Sequence, residues 1–445
     1  MLSIGKLGQG QERYYLKAVA QGAEDYYVYA GESPGRWAGG GSVSLALTGE
    51  VASSDFTAVL RSTDPATGEP LGQAHAVGKV PGFDLTFSAP KSVSLLFALG
   101  DEQLTRRMRE AHDAAVADAL GYLERTAGHG RRGHAGAERI ATTGFVAALF
   151  RHRTSRAGDP NLHTHAVVAN RVNGIDGRWS ALDAKAIYAQ AKTAGTLCET
   201  SLRHELRDLG LTWTVAASGL AEIDGVPYDV RRAFSQRRQQ IEQHLTEMGL
   251  SSAKAAQVAT LETRSRKDHG VDPDTLVGRW RQRAADLGFT PAVIRELLRD
   301  GRDRVVRDGT DDALARLLGP TGLTERSSSF GEREVLRAVA NALPDGATVA
   351  QVEALAARLL ASPEVVVLSP QELRLRGQDV LRVGGPGRSR LVPFGASERR
   401  FSTRELLALE QQLVTDAVAG VGGGAVRADV PVVDAALARR PQLND

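Results

Sequence analysis

The chain has a single cysteine, Cys198, in 445 residues. That excludes an internal disulfide framework and a cysteine-rich zinc fold, and it fits a reducing, cytoplasmic compartment. No run of about 18 apolar residues occurs, so no segment reads as a membrane span. The opening Met1-Leu-Ser-Ile-Gly-Lys6 is too short and polar for a signal peptide. No Gly-x-x-x-x-Gly-Lys-[Ser/Thr] loop is present, so no ATPase motor is expected in this chain. No internal repeat is evident. The formal net charge of +2 does not announce a nucleic-acid partner in bulk. Aromatic residues make up only 5%, yet five of the eight tyrosines fall between positions 14 and 29, as the pairs Tyr14-Tyr15 and Tyr26-Tyr27 with Tyr29 behind them.

Histidines are also few, ten in all, and three of them form a pattern. His163 and His165 sit in Asn161-Leu-His-Thr-His-Ala-Val-Val-Ala-Asn170. On an extended strand, residues two apart share a face. His152 closes the preceding apolar stretch Gly144-Phe-Val-Ala-Ala-Leu-Phe-Arg-His152, and the turn formers Arg153 to Asn161 lie between. If the two stretches pair as a hairpin, 152 falls opposite 163 and three imidazoles meet. A His-x-His alone also fits ordinary surface or core histidines. Three imidazoles with open positions suit a catalytic divalent metal.

A ligating imidazole commonly donates its second N–H to a carboxylate. In Gly82-Phe-Asp-Leu-Thr-Phe-Ser88, Phe83, Leu85 and Phe87 alternate with Asp84, Thr86 and Ser88, which reads as a half-buried strand with one carboxylate on its polar face. A merely solvated face accounts for that alternation as well. A tyrosine beside a metal can attack a phosphodiester and hold it as a phosphotyrosine. Without the histidines, the tyrosine pairs read as amphipathic packing residues. Residues 125–156 hold seven arginines against Glu138 alone, and 231–267 hold eight basic side chains against Glu242, Glu247 and Glu262. Such stripes track a phosphate backbone or form solvated helix faces. Ser88-Ala-Pro-Lys-Ser-Val-Ser94 reads as a strand-to-helix turn with Pro90 at the first helical position, whose free N–H groups and Lys91 either hold a phosphate or are simply capped.

Taken together, the tyrosine pairs, Gly22-Ala-Glu-Asp-Tyr-Tyr27, Asp84-Leu-Thr-Phe-Ser-Ala-Pro-Lys-Ser-Val-Ser94 and His152…His163-Thr-His165 resemble the relaxase domain of MobF-type conjugative relaxases, the TrwC/TraI-like proteins of plasmid transfer, over about the first 300 residues. The resemblance implies an α+β fold of the HUH class, a central antiparallel sheet flanked by helices, followed by a smaller mixed α/β domain. It implies site- and strand-specific nicking of single-stranded DNA at an origin of transfer, through a covalent 5′-phosphotyrosyl intermediate, and rejoining. Tyr14 is implied as first nucleophile and Tyr26 as second, with Tyr15 and Tyr27 the alternates within each pair. His152, His163 and His165 are implied as metal ligands, with Mg2+ or Mn2+ the ion the family suggests, and Asp84 as the residue that orients a ligand. Lys91, Arg151, Arg153, Arg156, Arg231 and Arg232 are the expected DNA contacts. Accessory relaxosome proteins and a coupling protein are the implied partners.

The expected organisation is a relaxase domain at 1–308, a linker at 309–329, a segment at 330–419 that introduces a helicase motor in longer family members, and a flexible tail at 420–445. Glu102 to Arg125 reads as a helix and Thr193 to Leu209 as another, with Ala184 to Ala191 leading in. Trp213-Thr-Val-Ala and Leu220 to Pro227 read as a hairpin turning at Asp224-Gly225, and the basic segment 229–307 reads as helical, a candidate lid. Gly5, Gly8 and Gly10 make the first residues look loose for a strand. The rival readings are an HUH replication initiator, a single-stranded DNA-binding module that does not cut, and a cupin-like enzyme acting on small molecules.

Overall fold

A computed structural model describes residues 1–8, 35–73, 80–136, 138–216, 220–249, 273–302, 310–368, 380–383, 390–393 and 399–420. Its centre is a five-stranded antiparallel sheet in the order β1 (Leu2–Lys6), β3 (Gly82–Ser88), β7 (Pro160–Ala169), β6 (Ala147–Thr154), β2 (Arg36–Ala38). The glycine-rich start is therefore an edge strand. Its partner β3 supplies the ladder, Leu2 opposite Phe87 through Lys6 opposite Phe83.

Alternation gives the sheet two unlike faces. Phe83, Leu85 and Phe87 of β3 and Leu162, Ala166 and Val168 of β7 are buried under the helices Lys91–Leu99, Glu102–Ala127 and Ala184–Glu205. Burying each such large side chain stabilises the fold by about 1.5–3 kcal/mol. On the long helix, Leu104, Met108, Ala111, Ala115, Ala119 and Tyr122 all lie in that core, and Asp101 caps its start by accepting from the Leu104 N–H at 2.8 Å. The opposite face is half apolar: Val146 just ahead of β6, Ala148 and Phe150 of β6, and Val167 and Ala169 of β7 pack with Phe56, Val59 and Leu60 of the helix Ser53–Leu60. Beyond that patch the same face carries the histidines.

The expected helices at 184–191 and 193–209 are one, Ala184–Glu205. The hairpin of β10 (Trp213–Val215) and β11 (Ala221–Ile223) is present, with Trp213 opposite Ile223 and Val215 opposite Ala221, so Asp224-Gly225 is not its turn. Asp224-Gly225 instead turns the chain from β11 into the helix Tyr228–Ala233, with Gly225 at φ +81°. The basic segment follows as the helices Gln236–Glu247, Pro273–Asp286 and Pro291–Arg302.

The stretch 309–329, expected as a linker, has regular structure of its own. The helix Thr310–Leu318 occupies that stretch, and Phe330, Val335, Val339, Val352 and Phe401 belong to the same core as Phe83 and Leu85. The buried Arg203 donates to the Ala340 and Leu343 carbonyls at 3.1 and 3.3 Å. A second sheet, ordered β13 (Arg390–Pro393), β12 (Val380–Val383), β5 (Glu138–Ala141), β4 (His129–Arg132), β9 (Trp179–Leu182), β8 (Val172–Asn173), joins late strands to early ones. Apolar helix faces at 332–342 and 349–360 need cover, and the helix Ala184–Glu205 supplies it. No helix among the described residues is long and apolar enough to cross a membrane.

Candidate metal centre

The ladder between β6 and β7 sets His152 directly opposite His163, and Phe150 opposite His165. Because β7 alternates, Thr164 points to the helices while His163 and His165 point away from them. The three rings lie 4.9–5.2 Å apart between centroids. One ligand nitrogen from each of His152, His163 and His165 falls within 4.8 Å of the other two, the one such group found among the described residues. That spacing and three nitrogen donors fit a single divalent ion with further positions left for oxygen ligands.

Neighbouring acceptors orient two of the rings. Register places Thr86 opposite His165 and Asp84 opposite Val167, all on one face. His165 Nδ1 donates to Asp84, with both carboxylate oxygens at 2.9 Å. Thr86 Oγ1 donates to Asp84 Oδ1 at 3.2 Å and so holds the carboxylate in turn. His163 Nδ1 donates to its own strand's Asn161 carbonyl at 2.8 Å. Both rings therefore keep Nε2 as the ligand atom. Behind the strand, His112 of the long helix meets Thr164 Oγ1 at 3.0 Å, and burial, then the nearby His163 and Arg151, push its pKa down to about 3. His112 braces the His-x-His strand as a neutral ring. Alternation in β3 made Asp84 legible; Thr86, Asn161 and His112 were not singled out, although Thr86 shares the polar face of Asp84.

The start of the helix Lys91–Leu99 is a different case. The helix begins at Lys91, with Pro90 as its cap rather than its first residue. The N–H groups of Ser92 and Lys91 donate to Glu222 of β11, at 2.8 and 3.4 Å. Lys91 Nζ donates to the Pro160 carbonyl at 2.6 Å, and burial lowers its pKa against the pull of Asp159 and Glu222. A phosphate at this helix start meets a carboxylate already in place.

The remaining expected DNA contacts are dispersed. Arg151 points to the helix side of the sheet and pairs with Asp113. Arg153, on the same side, lies over the Phe97 ring at 5.3 Å. Arg231 stands 3.8 Å from Glu222, and Arg232 is paired with Glu242 at 2.7 Å. Arg156 lies in the turn between β6 and β7. The structure gathers Asp84 and the three histidines into one site and does not gather these basic residues around it. Tyr14, Tyr15, Tyr26 and Tyr27 lie outside the described residues.

Comparison with known proteins bears on the same region. A family model described as TrwC relaxase matches residues 8–287. The multifunctional conjugation protein TraI of Escherichia coli (strain K12) is 35% identical over 340 residues, 72% of this chain and 19% of that protein. A second Escherichia coli TraI is 34% identical over 339 residues. The chain thus spans 19% of the length of the curated relatives it matches. Among solved structures, the metal-bound conjugative relaxase TrwC in complex with oriT DNA matches with a TM-score of 0.58 at 32% identity, covering 65% of this chain and 99% of that one. A copper-bound TrwC–oriT complex matches with the same score, identity and coverage.

Proposed function

Because this chain belongs to the TrwC relaxase family, we propose that it nicks and rejoins one strand of DNA at an origin of transfer, with a divalent metal held by His152, His163 and His165. The observation that carries the proposal is the triad itself, three ligand nitrogens within 4.8 Å of one another, with Asp84 fixing one of the rings. The similar TrwC relaxase is seen with oriT DNA and a metal, which supports the same partners here.

In this reading the phenol oxygen of Tyr14 attacks the scissile phosphorus. A P–O bond to tyrosine forms as the bond to the 3′ oxygen breaks, and the phenol's proton leaves to solvent while the departing oxygen ends as a 3′ hydroxyl. One phosphodiester replaces another, so rejoining needs no ATP. A divalent ion held by the three histidines would supply Lewis acidity to the scissile phosphate. His163 and His165 present Nε2 to it, and Asp84 keeps His165 in that tautomer. Tyr26 serves a second transfer, with Tyr15 and Tyr27 as alternates.

The edges of the sheet support an approach of these tyrosines to the metal face. β1 and β2 are opposite edge strands, about 19 Å apart at the usual strand spacing. Leu7 and Gly35, the first close to one edge and the second close to the other, both lie on the histidine side, where Leu7 belongs to the same apolar cluster as Phe150 and Gly35 abuts the Phe150 ring. The other side is covered by helices.

Mg2+ or Mn2+ is the ion we propose, although three imidazoles bind softer metals more tightly. Of the six basic residues singled out, Arg156 in the turn and Arg232, 44% exposed on its helix, are proposed as phosphate contacts. Accessory relaxosome proteins, a coupling protein and a cytoplasmic setting complete the proposal. The test is an SDS-resistant adduct between the chain and a single-stranded oligonucleotide from the transfer origin of its own element. Tyr14→Phe should abolish the adduct. A persistent adduct in that variant assigns the first attack to another tyrosine, and none with the unaltered protein reduces the chain to a binding module.

A further inference from the structure

The turn that joins the two histidine strands is held from outside the sheet. Ser155 to Asp159 forms a tight reversal: the Ser155 N–H donates to the Asp159 carbonyl at 2.8 Å, and the Asp159 N–H to Ser155 Oγ at 3.2 Å. The Asp159 side chain points away from that turn into protein and is 2% exposed. A carboxylate in such a place is costly without compensating bonds. Its partners come from the basic helices. The Gln236 backbone N–H donates to it at 2.7 Å and Gln236 Nε2 at 2.8 Å, and Arg283 lies 3.8 Å away. Beside it, Trp280 Nε1 donates to the Gly158 carbonyl at 2.9 Å.

The turn matters because the ladder above it is irregular. His152 pairs with His163 and Thr154 with Pro160, and the register shifts between the two. A shift of one residue in a strand carries each side chain to the other face. A slip here takes His152 out of the triad. The unbroken ladder ends at the His152–His163 pair, so these two histidines sit where regular pairing gives way to the turn, and the turn end is the part of the hairpin that the ladder holds least.

We propose that Asp159 is a positioning residue for the metal centre, seating the turn between β6 and β7 on the helices Gln236–Glu247 and Pro273–Asp286 and so fixing His152 against His163. The proposal rests on the reading of the triad as a metal site. It makes the basic helices part of what shapes the metal geometry, and it ties a residue remote from the ion to ion affinity.

The test is Mn2+ affinity of the full chain without DNA, by titration calorimetry, for the unaltered protein, Asp159→Asn, Asp159→Ala, Gln236→Ala and the Asp159→Ala/Gln236→Ala pair. Loss of a group that orients a ligand commonly costs about 10- to 100-fold in metal affinity. Asp159→Ala is expected at the lower end, about tenfold weaker, and Asp159→Asn and Gln236→Ala a smaller loss of about threefold each. The pair should match Asp159→Ala alone, since both changes cut one connection. Mn2+ binding by Asp159→Ala and Asp159→Asn within about twofold of the unaltered protein overturns the proposal, as does a Gln236→Ala effect that multiplies in full on top of Asp159→Ala. A lowered melting temperature of the metal-free variants with unchanged Mn2+ affinity overturns it too, and leaves Asp159 a purely structural residue. Should Asp159→Ala fail to fold, Asp159→Asn and Gln236→Ala carry the same test. Absence of Mn2+ binding by the unaltered protein sinks the metal reading itself, a separate result.

Discussion

Two places in this molecule invite an ion, and they are built in opposite ways. At the β6–β7 hairpin, three imidazoles converge, and neighbours of His163 and His165 turn those two rings so that a lone pair faces inward. At the start of the helix Lys91–Leu99, backbone N–H groups and a lysine converge as well, yet Glu222 already occupies them. Donor chemistry alone does not make a site. What separates the two is whether the fold brings a competing partner, and that partner comes from far along the chain.

The largest expected effect tests the open member of the pair. Asp84→Asn keeps the shape of the side chain but removes the charge that favours His165 with its Nδ1 proton. Metal affinity and metal-dependent nicking are each expected to fall by about 10- to 100-fold, measured by Mn2+ titration and by adduct yield. An unchanged affinity would make the 2.9 Å contact to His165 incidental.

The same contrast explains what could be read from the residues in advance. His152, His163 and His165 were legible because strand alternation and a short hairpin are local rules: a spacing of two and a turn of known length fix who faces whom. Asp84 was legible as the carboxylate on a polar strand face, while its pairing with a histidine 81 residues away came through the family resemblance. Glu222, Asp159 and Gln236 were not, because their meeting depends on elements 77 to 131 residues apart. The helix start at 91 read as a capped end or a phosphate site, and only the position of β11 shows what fills it. The stretch 309–329 shows the same limit of local reading. Glycine, proline and serine there look like a linker, but the apolar faces that follow find their cover on the helix Ala184–Glu205, which local composition does not reveal. The tyrosine pairs stood out through scarcity of aromatics elsewhere, which gives their identity and not their position.

A smaller effect probes the rear of the hairpin. His112 is fully buried behind Thr164, with a pKa of about 3 in the fold against 6.5 for a free histidine. The folded protein therefore resists its protonation while the unfolded chain accepts it. Its contribution is complete above pH 6.5 and is lost as pH falls toward 3. Between neutrality and pH 5 the loss is about 2 kcal/mol for such a group. His129, held down to about 4 mainly by burial, adds a similar slope. Denaturant melts at pH 7 and pH 5 should show His112→Gln losing about 2 kcal/mol less than the unaltered protein. An identical pH dependence in the two would mean that water reaches the back of β7, and that the brace is not dry.

The smallest effect concerns the filled member of the pair. Glu222→Ala leaves the N–H groups of Lys91 and Ser92 without their carboxylate and is expected to cost about 1–2 kcal/mol, the sum of a lost cap and a lost charge at a helix start. Mn2+ affinity should stay within about twofold, because Glu222 touches neither the histidines nor Asp84. The vacated helix start should then behave as an anion site, since the N–H groups remain pointed outward and Lys91 stands beside them. Sulfate added to Glu222→Ala should recover part of the lost stability, by mass action on the folded form alone, and should do so less in the unaltered protein. Equal sulfate effects in both would show that the helix start is closed by its surroundings and not by Glu222. Recovery in the variant only would show that one carboxylate, delivered from β11, is what keeps this second place from competing with the hairpin for phosphate.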